Sequence, residues 1–451
     1  VKKMNDRSVA AAVCCGASLA AAALLLSGCG GSGSSNPLAA IQAAQAKNVG
    51  NFSNSVFLGD SLTAGYQSGS LLDTQQIHGW APLVAAQAQF NIVQPLIAYP
   101  GAPNVLQLVS PGPPPVITTA PGTTSGRDNF ATQVTDLAVP GALLSDVMNT
   151  VPLANPAPGQ QQLNQLVLGF PGLGYGQALS QSGFAVLAQP TTIFLWIGNN
   201  DALVADITGM PSSMTSVSTF TTQYAALINQ LSTMAPAHLV IANIPDVTQV
   251  PYLSPAALVL AETSAETGLP AAVLSQILGI APGDYVNPTG LAEIPLILGG
   301  AQKGPIDDAG VLSAAEVVQV QAQVTAFNGV IAAQAKSVNA TLVDINALFA
   351  KVTASGLAIN GYTGTAAFLG GFFALDGIHP TNTGYAVVAN QFIDTMNASM
   401  NTKIPDVALG PIAAADPFWP PNLATKFAAA RPRLIPANAG NSMKALLTGK
   451  R

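Results

Sequence analysis

The stretch "VFLGDSLTAG", residues 56–65, decides how this chain is read. A short apolar run ends abruptly in Gly59-Asp60-Ser61. Unbroken apolar residues, without alternation, suit a strand covered on both faces. Such a strand carries Ser61 to its carboxyl tip. A hydroxyl in that place is a poor nucleophile until a base takes its proton and a third group orients the base.

The search for that base is short, because the 451 residues include only three histidines. His238 heads the apolar run "HLVIANIP" and reads as a strand-edge residue. His78, in "QQIHGWAPLV", follows the first strand and is a candidate for the edge of a site. His379 sits in "ALDGIHPTNTGY", three residues after Asp376 and just before Pro380. The proline disfavours helical backbone at His379 and suits the first turn of a following helix, so the imidazole is held on a defined loop. Asp376 is near enough to reach His379 Nδ1 and fix the tautomer. The competing reading is a turn in which Asp376 bonds local backbone N–H groups.

Further apolar runs, ending in Gly, Asn, Asp or Pro, are expected as strands at 134–142 ("VTDLAVPGA"), 191–201 ("TTIFLWIGNND"), 238–247 and 340–349, five in all with 54–60. Helical spacing marks Phe220, Tyr224, Leu227, Ile228 and Leu231. Ser313 and Glu316 form a capping-box pair ahead of Val317, Val320, Val324, Phe327 and Ile331. Residues 384–400 close the core. Strands alternating with helices give an α/β fold, a parallel sheet with helices on both faces. The carboxyl ends of neighbouring parallel strands share one crevice, where ligands bind. Acyl transfer there needs donors aimed at a developing oxyanion. Gly141, with no side chain, lets a backbone N–H approach a ligand, and Gly198-Asn199-Asn200-Asp201 offers carboxamide donors. Each is also an ordinary turn sequence.

Taken together, "GDSL", "AVPGA", "GNND" and "DGIHP", in this order, resemble the four sequence blocks of the SGNH hydrolases, also called GDSL esterases and lipases. The resemblance implies a flavodoxin-like three-layer α/β/α sandwich around a five-stranded parallel sheet. It implies a serine ester hydrolase that cleaves carboxylic esters through an acyl-serine intermediate, with no cofactor and no metal. Ser61 would be the nucleophile, with its own N–H in the oxyanion hole beside the Gly141 N–H and the Asn200 amide. His379 would be base and then acid, oriented by Asp376. The block reads G-x-N-D, which selects Asn200 over Asn199. An α/β-hydrolase elbow is not indicated, since G-x-S-x-G would need glycine where Thr63 stands. Asp60 reads as a bonder of the turn. The rival expectations are a carbohydrate O-deacetylase of the cell envelope and a non-catalytic surface lipoprotein on the same fold.

Composition bounds the partners. Charged residues are 8% and the formal net charge is −6, with no Lys/Arg cluster beyond the first seven residues. That argues against nucleic acid. Lys2, Lys3 and Arg7 precede an apolar run long enough to span a bilayer, which then ends in Leu26-Ser27-Gly28-Cys29. This resembles the lipobox of bacterial lipoproteins. It implies a signal peptide over 1–28, a lipidated Cys29, and a Gly/Ser-rich tether over 29–50 that holds the protein on a membrane. Gly30 in place of Asp suggests an outer-membrane address, facing the periplasm or the cell surface. Cys14 and Cys15 fall in the expected signal peptide, so no thiol pair remains for a disulfide, and packing must hold the domain together. The hydrolase domain is expected over 51–401, with insertions near 101–130 and 251–308. A Pro/Ala-rich tail, 402–451, would wrap the domain or hang free.

Overall fold

Strand β1, Ser55–Gly59, is buried at all five residues, as its uninterrupted apolar sequence requires. In the computed structural model, which describes residues 51–112, 114–234, 237–426 and 434–449, it pairs in parallel with β2, Thr192–Trp196, Ser55 lying opposite Thr192 and Gly59 opposite Trp196. β3, His238–Ala242, continues the sheet from β2, and β4, Thr341–Val343, continues it from β3. The expected signal peptide, Cys29 and the tether lie outside the described residues.

Helices cover both faces. Phe194 and Trp196, two residues apart on β2, share a face. Against it lie Trp80 of α1, Trp80–Gln87, and Phe392, which stack on each other at 3.9 Å between ring centroids. α2, Asn199–Thr208, follows β2 directly. α3, Val217–Ser232, and α4, Ala314–Ser337, clasp each other through the Phe220–Phe327 stack at 4.0 Å. The five expected apolar residues of α3 are all buried, and the capping box of Ser313 and Glu316 is closed in both directions. α5, Asn382–Ser399, carries Phe392.

The five expected parallel strands are four among the described residues. The missing one, 134–142, does run beside β1, with Phe57 N–H donating to Thr135 O at 2.9 Å and Leu137 N–H donating to Phe57 O at 2.8 Å. Only one bridge forms, Phe57 with Asp136. The ladder loses its next rung because the Gly59 N–H donates instead to Gln181 Oε1 at 2.9 Å, while Gln181 Nε2 donates to Gly59 O at 2.9 Å; beyond that gap the Val139 N–H still donates to Gly59 O at 3.1 Å. Counting this segment, the spatial order is second-first-third-fourth-fifth. That is a doubly wound order with its switch point between β1 and its two neighbours.

The first insertion forms an antiparallel hairpin, Leu106–Ser110 with Val116–Thr119. The second supplies three helices, Ala256–Thr267, Ala271–Leu278 and Pro288–Leu298, with a small apolar cluster of their own. The tail does not hang free. Its last helix, α6, Asn441–Thr448, buries Met443, Leu446 and Leu447.

At the edge of β1, burial pushes the Asp136 carboxyl up to about 7, offset only in part by the Ala138 N–H and the Gln94 amide. The folded protein therefore holds a proton here that an unfolded aspartate, with its ordinary value near 3.9, releases. The stability this contributes is full below about pH 4 and is lost as pH rises through about 7. Urea midpoints measured at pH 5 and pH 8 should fall between the two, and Asp136→Asn should shrink that fall. An undiminished fall in the variant would discharge Asp136 as a source.

Candidate active site

The first strand ends in a turn that admits little but glycine. A Cβ on Gly59 would lie 2.4 Å from Trp196 O and 2.6 Å from Thr63 Oγ1. Asp60, fully buried, then accepts from the Leu62 N–H at 3.0 Å and from Asn199 Nδ2 at 2.8 Å. It thus bonds the turn, as expected, and also ties the end of β1 to the start of α2. Burial raises its carboxyl to about 6 against the pull of these two donors.

The loop before α5 brings His379 to this turn. His379 Nε2 lies 2.7 Å from Ser61 Oγ, and His379 Nδ1 lies 3.0 Å from Asp376 Oδ2. With Nδ1–H given to the carboxylate, Nε2 is free to accept the Ser61 proton. Asp376 Oδ1 accepts from the Ile378 and His379 N–H groups, both at 2.9 Å. The two readings of Asp376, partner of the imidazole and bonder of its own turn, therefore hold together, one on each oxygen. Burial alone would raise the Asp376 carboxyl, but the charge of His379 and these hydrogen bonds outweigh it and hold the group below its ordinary value. His238 begins β3, at the end of the sheet away from this crevice, and His78 lies in the loop before α1.

The other two blocks flank the serine. The N–H groups of Ser61 and Gly141 have no hydrogen-bond partner among the described residues. Asn200 Nδ2 donates to Ala142 O at 2.8 Å, which ties the start of α2 to the Gly141 turn and leaves its second N–H for another acceptor. Asn199 and Asn200 both border the pocket at Ser61 and His379. Asp201 Oδ2 accepts from the Leu144 N–H at 2.8 Å, a further tie between the same two segments.

Sequence reasoning did not single out three neighbours. Gly69 donates its N–H to Asp376 Oδ2 at 2.7 Å, from a turn with positive φ at Ser68 and Gly69. The Tyr66 ring packs on the His379 imidazole at 4.8 Å, and its hydroxyl donates to Gly69 O. Leu446 of α6 seats against Gly141. The glycines of "AGYQSGS" signalled a turn, but nothing in the sequence said what it would meet.

A family model described as GDSL-like Lipase/Acylhydrolase matches residues 56–392. Among solved structures, an acetylxylan esterase from Geobacillus stearothermophilus is 11% identical, covering 79% of this chain and 97% of its own, with a TM-score of 0.36. An α/β hydrolase from the metagenome of Lake Arreo, Spain, is 12% identical, covering 79% and 100%, with a TM-score of 0.35. Phospholipase A1 from Streptomyces albidoflavus NA297 is 14% identical, covering 77% and 100%, with a TM-score of 0.33. Likeness at 11–14% identity leaves those proteins' substrates their own. No curated protein matches the chain.

Gly141 has φ +77°, and a Cβ there would lie 2.8 Å from Leu446 Cγ. Gly141→Ala should cost about 1–3 kcal/mol of stability by denaturant titration. Adding Leu446→Ala should return part of the packing clash and none of the backbone strain. Strictly additive losses in the double variant would show that the two residues do not touch.

Proposed function

The chain belongs to the GDSL-like lipase/acylhydrolase family and hydrolyses ester bonds, and from that premise we propose that Ser61 is its nucleophile and that the reaction passes through an acyl-serine. Ser61 Oγ attacks the ester carbonyl while His379 Nε2 takes its proton. Asp376 holds the Nδ1–H and stabilises the imidazolium that forms. The negative charge on the carbonyl oxygen is met by the Ser61 and Gly141 N–H groups and the Asn200 amide, donors fixed before the substrate arrives. When the tetrahedral species collapses, the C–O bond to the alcohol breaks and His379 returns the proton to the leaving oxygen. Water then repeats the sequence on the acyl-serine, with His379 again as base, and releases the acid.

The observation that carries this reading is the continuous chain from Ser61 Oγ through His379 to Asp376, at 2.7 and 3.0 Å. The partner-free N–H groups support the placement of the oxyanion. Ser61→Ala should lower kcat/KM for p-nitrophenyl acetate by about 10⁴-fold or more and abolish labelling by a fluorophosphonate. Wild-type turnover in that variant would refute the assignment.

We further propose that Cys29 is lipidated and holds the enzyme on a bacterial envelope membrane, a reading supported by Leu26-Ser27-Gly28-Cys29 at the end of an apolar segment. Several acyl chains, at about 0.8 kcal/mol per buried methylene, give stable attachment. In a bacterial host, Cys29→Ala should abolish incorporation of radiolabelled palmitate and leave the apolar leader uncleaved. Undiminished palmitate label in the variant would count against lipidation at this residue.

A further inference from the structure

The pocket at Ser61 is polar only where it meets the reacting groups. Its other walls are Leu62, Leu203, Pro245, Val247, Val250 and Phe349, closed by Ile378 beside the base. The chain order explains why they converge. Leu62 follows β1, Leu203 lies on α2 after β2, Pro245 to Val250 follow β3, and Phe349 lies on the helix Ile345–Ser355 after β4. Each is carried to the carboxyl edge of the sheet by the strand before it. No charged side chain, and no hydroxyl or amide beyond Ser61, Asn199 and Asn200, borders the space.

The centre of a water-sized sphere can range over about 20 Å³ of the pocket, which is more than one trapped water needs and gives room for a short acyl chain. Its walls are not free to retreat: Val247, Val250, Leu203 and Phe349 are all buried, and Phe349 is wedged edge-on against Phe372 and Phe373 at 5.3 and 5.9 Å.

We propose that this pocket receives the acyl group, and that its apolar walls, Phe349 above all, restrict the enzyme to esters of short, unsubstituted acyl groups such as acetate. The inference rests on Ser61 being the nucleophile, since the pocket matters only as the space beside its acylated oxygen. An apolar space touching both the serine and the imidazole offers an alkyl group contact on most sides and, away from the Asn199 and Asn200 amides, nothing to the hydroxyls of a polar alcohol. The alcohol, which must depart during the first half-reaction, is left to the open side. An octanoate ester would have to displace packed side chains, a cost that rises steeply once a close-packed wall must move. Phe349 is the largest of the wall residues, so truncating it frees the most room.

The test compares kcat/KM for p-nitrophenyl acetate, butyrate and octanoate, with the alcohol held constant. Wild-type protein should favour acetate over octanoate by at least about 100-fold (~2.7 kcal/mol in the barrier). Phe349→Ala should reduce that ratio at least tenfold. Leu203→Ala and Val250→Ala, smaller cuts in two other walls, should each reduce it too, which keeps the proposal exposed if Phe349→Ala does not fold. A wild-type preference for octanoate would overturn it, as would a ratio unmoved in all folded variants. So would a series of alkyl acetates in which Phe349→Ala changes the preference for alcohol length instead. Hydrolysis of none of the esters, with no fluorophosphonate label on Ser61, would bring down the nucleophile assignment and this inference with it. Brisk turnover and labelling with the wrong acyl preference would bring down this inference alone.

Discussion

A carboxylate with no exposure to water has to be answered by donors, and at Asp376 the answer organises the whole site. Four N–H groups converge on its two oxygens: the Ile378 and His379 amides on Oδ1, and the Gly69 amide and His379 Nδ1 on Oδ2. Three come from the same short loop. The fourth comes from 307 residues away in sequence, and it binds the loop that follows Ser61 to the loop that carries His379. Tyr66 reinforces that joint. Its N–H donates to Ser61 O, its hydroxyl to Gly69 O, and its ring lies against the imidazole. The serine, the histidine and the carboxylate are therefore parts of one hydrogen-bonded body. The 2.7 Å approach of Ser61 to His379 follows from that body's geometry.

The same contrast between near and far in sequence explains what could be read in advance. The strands expected at 54–60 and 191–201 announce themselves because burial on both faces is written into consecutive residues. The capping box of α4 and the apolar stripe of α3 are equally local. So is the Asp376–His379 pair, which spans three residues. What stayed hidden is contact set by sheet order. Gln181 taking a rung of the ladder at Gly59, Asn199 held by Asp60, and Gly69 reaching Asp376 each need the positions of two segments at once. The tail is the extreme case. Helices of seven and eight residues are too short to display a period, and α6 is buried because bare glycine surfaces elsewhere receive it: Leu446 lies over Gly141 and Ser442 over Gly69. The strand expected at 134–142 marks the boundary between the two kinds of signal. Its apolar run correctly marks a segment of the sheet, which lies beside β1. Whether it counts as a strand turns on a single amide from a distant helix.

Three buried aspartates show how completely surroundings decide what one side chain does. Desolvation pushes all three carboxyls upward. Asp136 has too few donors to resist and rises to about 7. Asp60, with the Leu62 N–H and the Asn199 amide, rises to about 6. Asp376 alone is drawn below its ordinary value, because it has more donors and one of them belongs to a ring that can carry positive charge. Through the whole interval in which the other two change protonation, Asp376 stays ionised. It is therefore the carboxylate that can hold one imidazole tautomer and stabilise a proton as it arrives on the ring. Asp60, although it precedes Ser61 and is near enough to feel the charge of His379, takes a different part: it positions Asn199 and the turn. Adjacency to the serine in sequence confers no catalytic role; the number and charge of the groups around each carboxylate do.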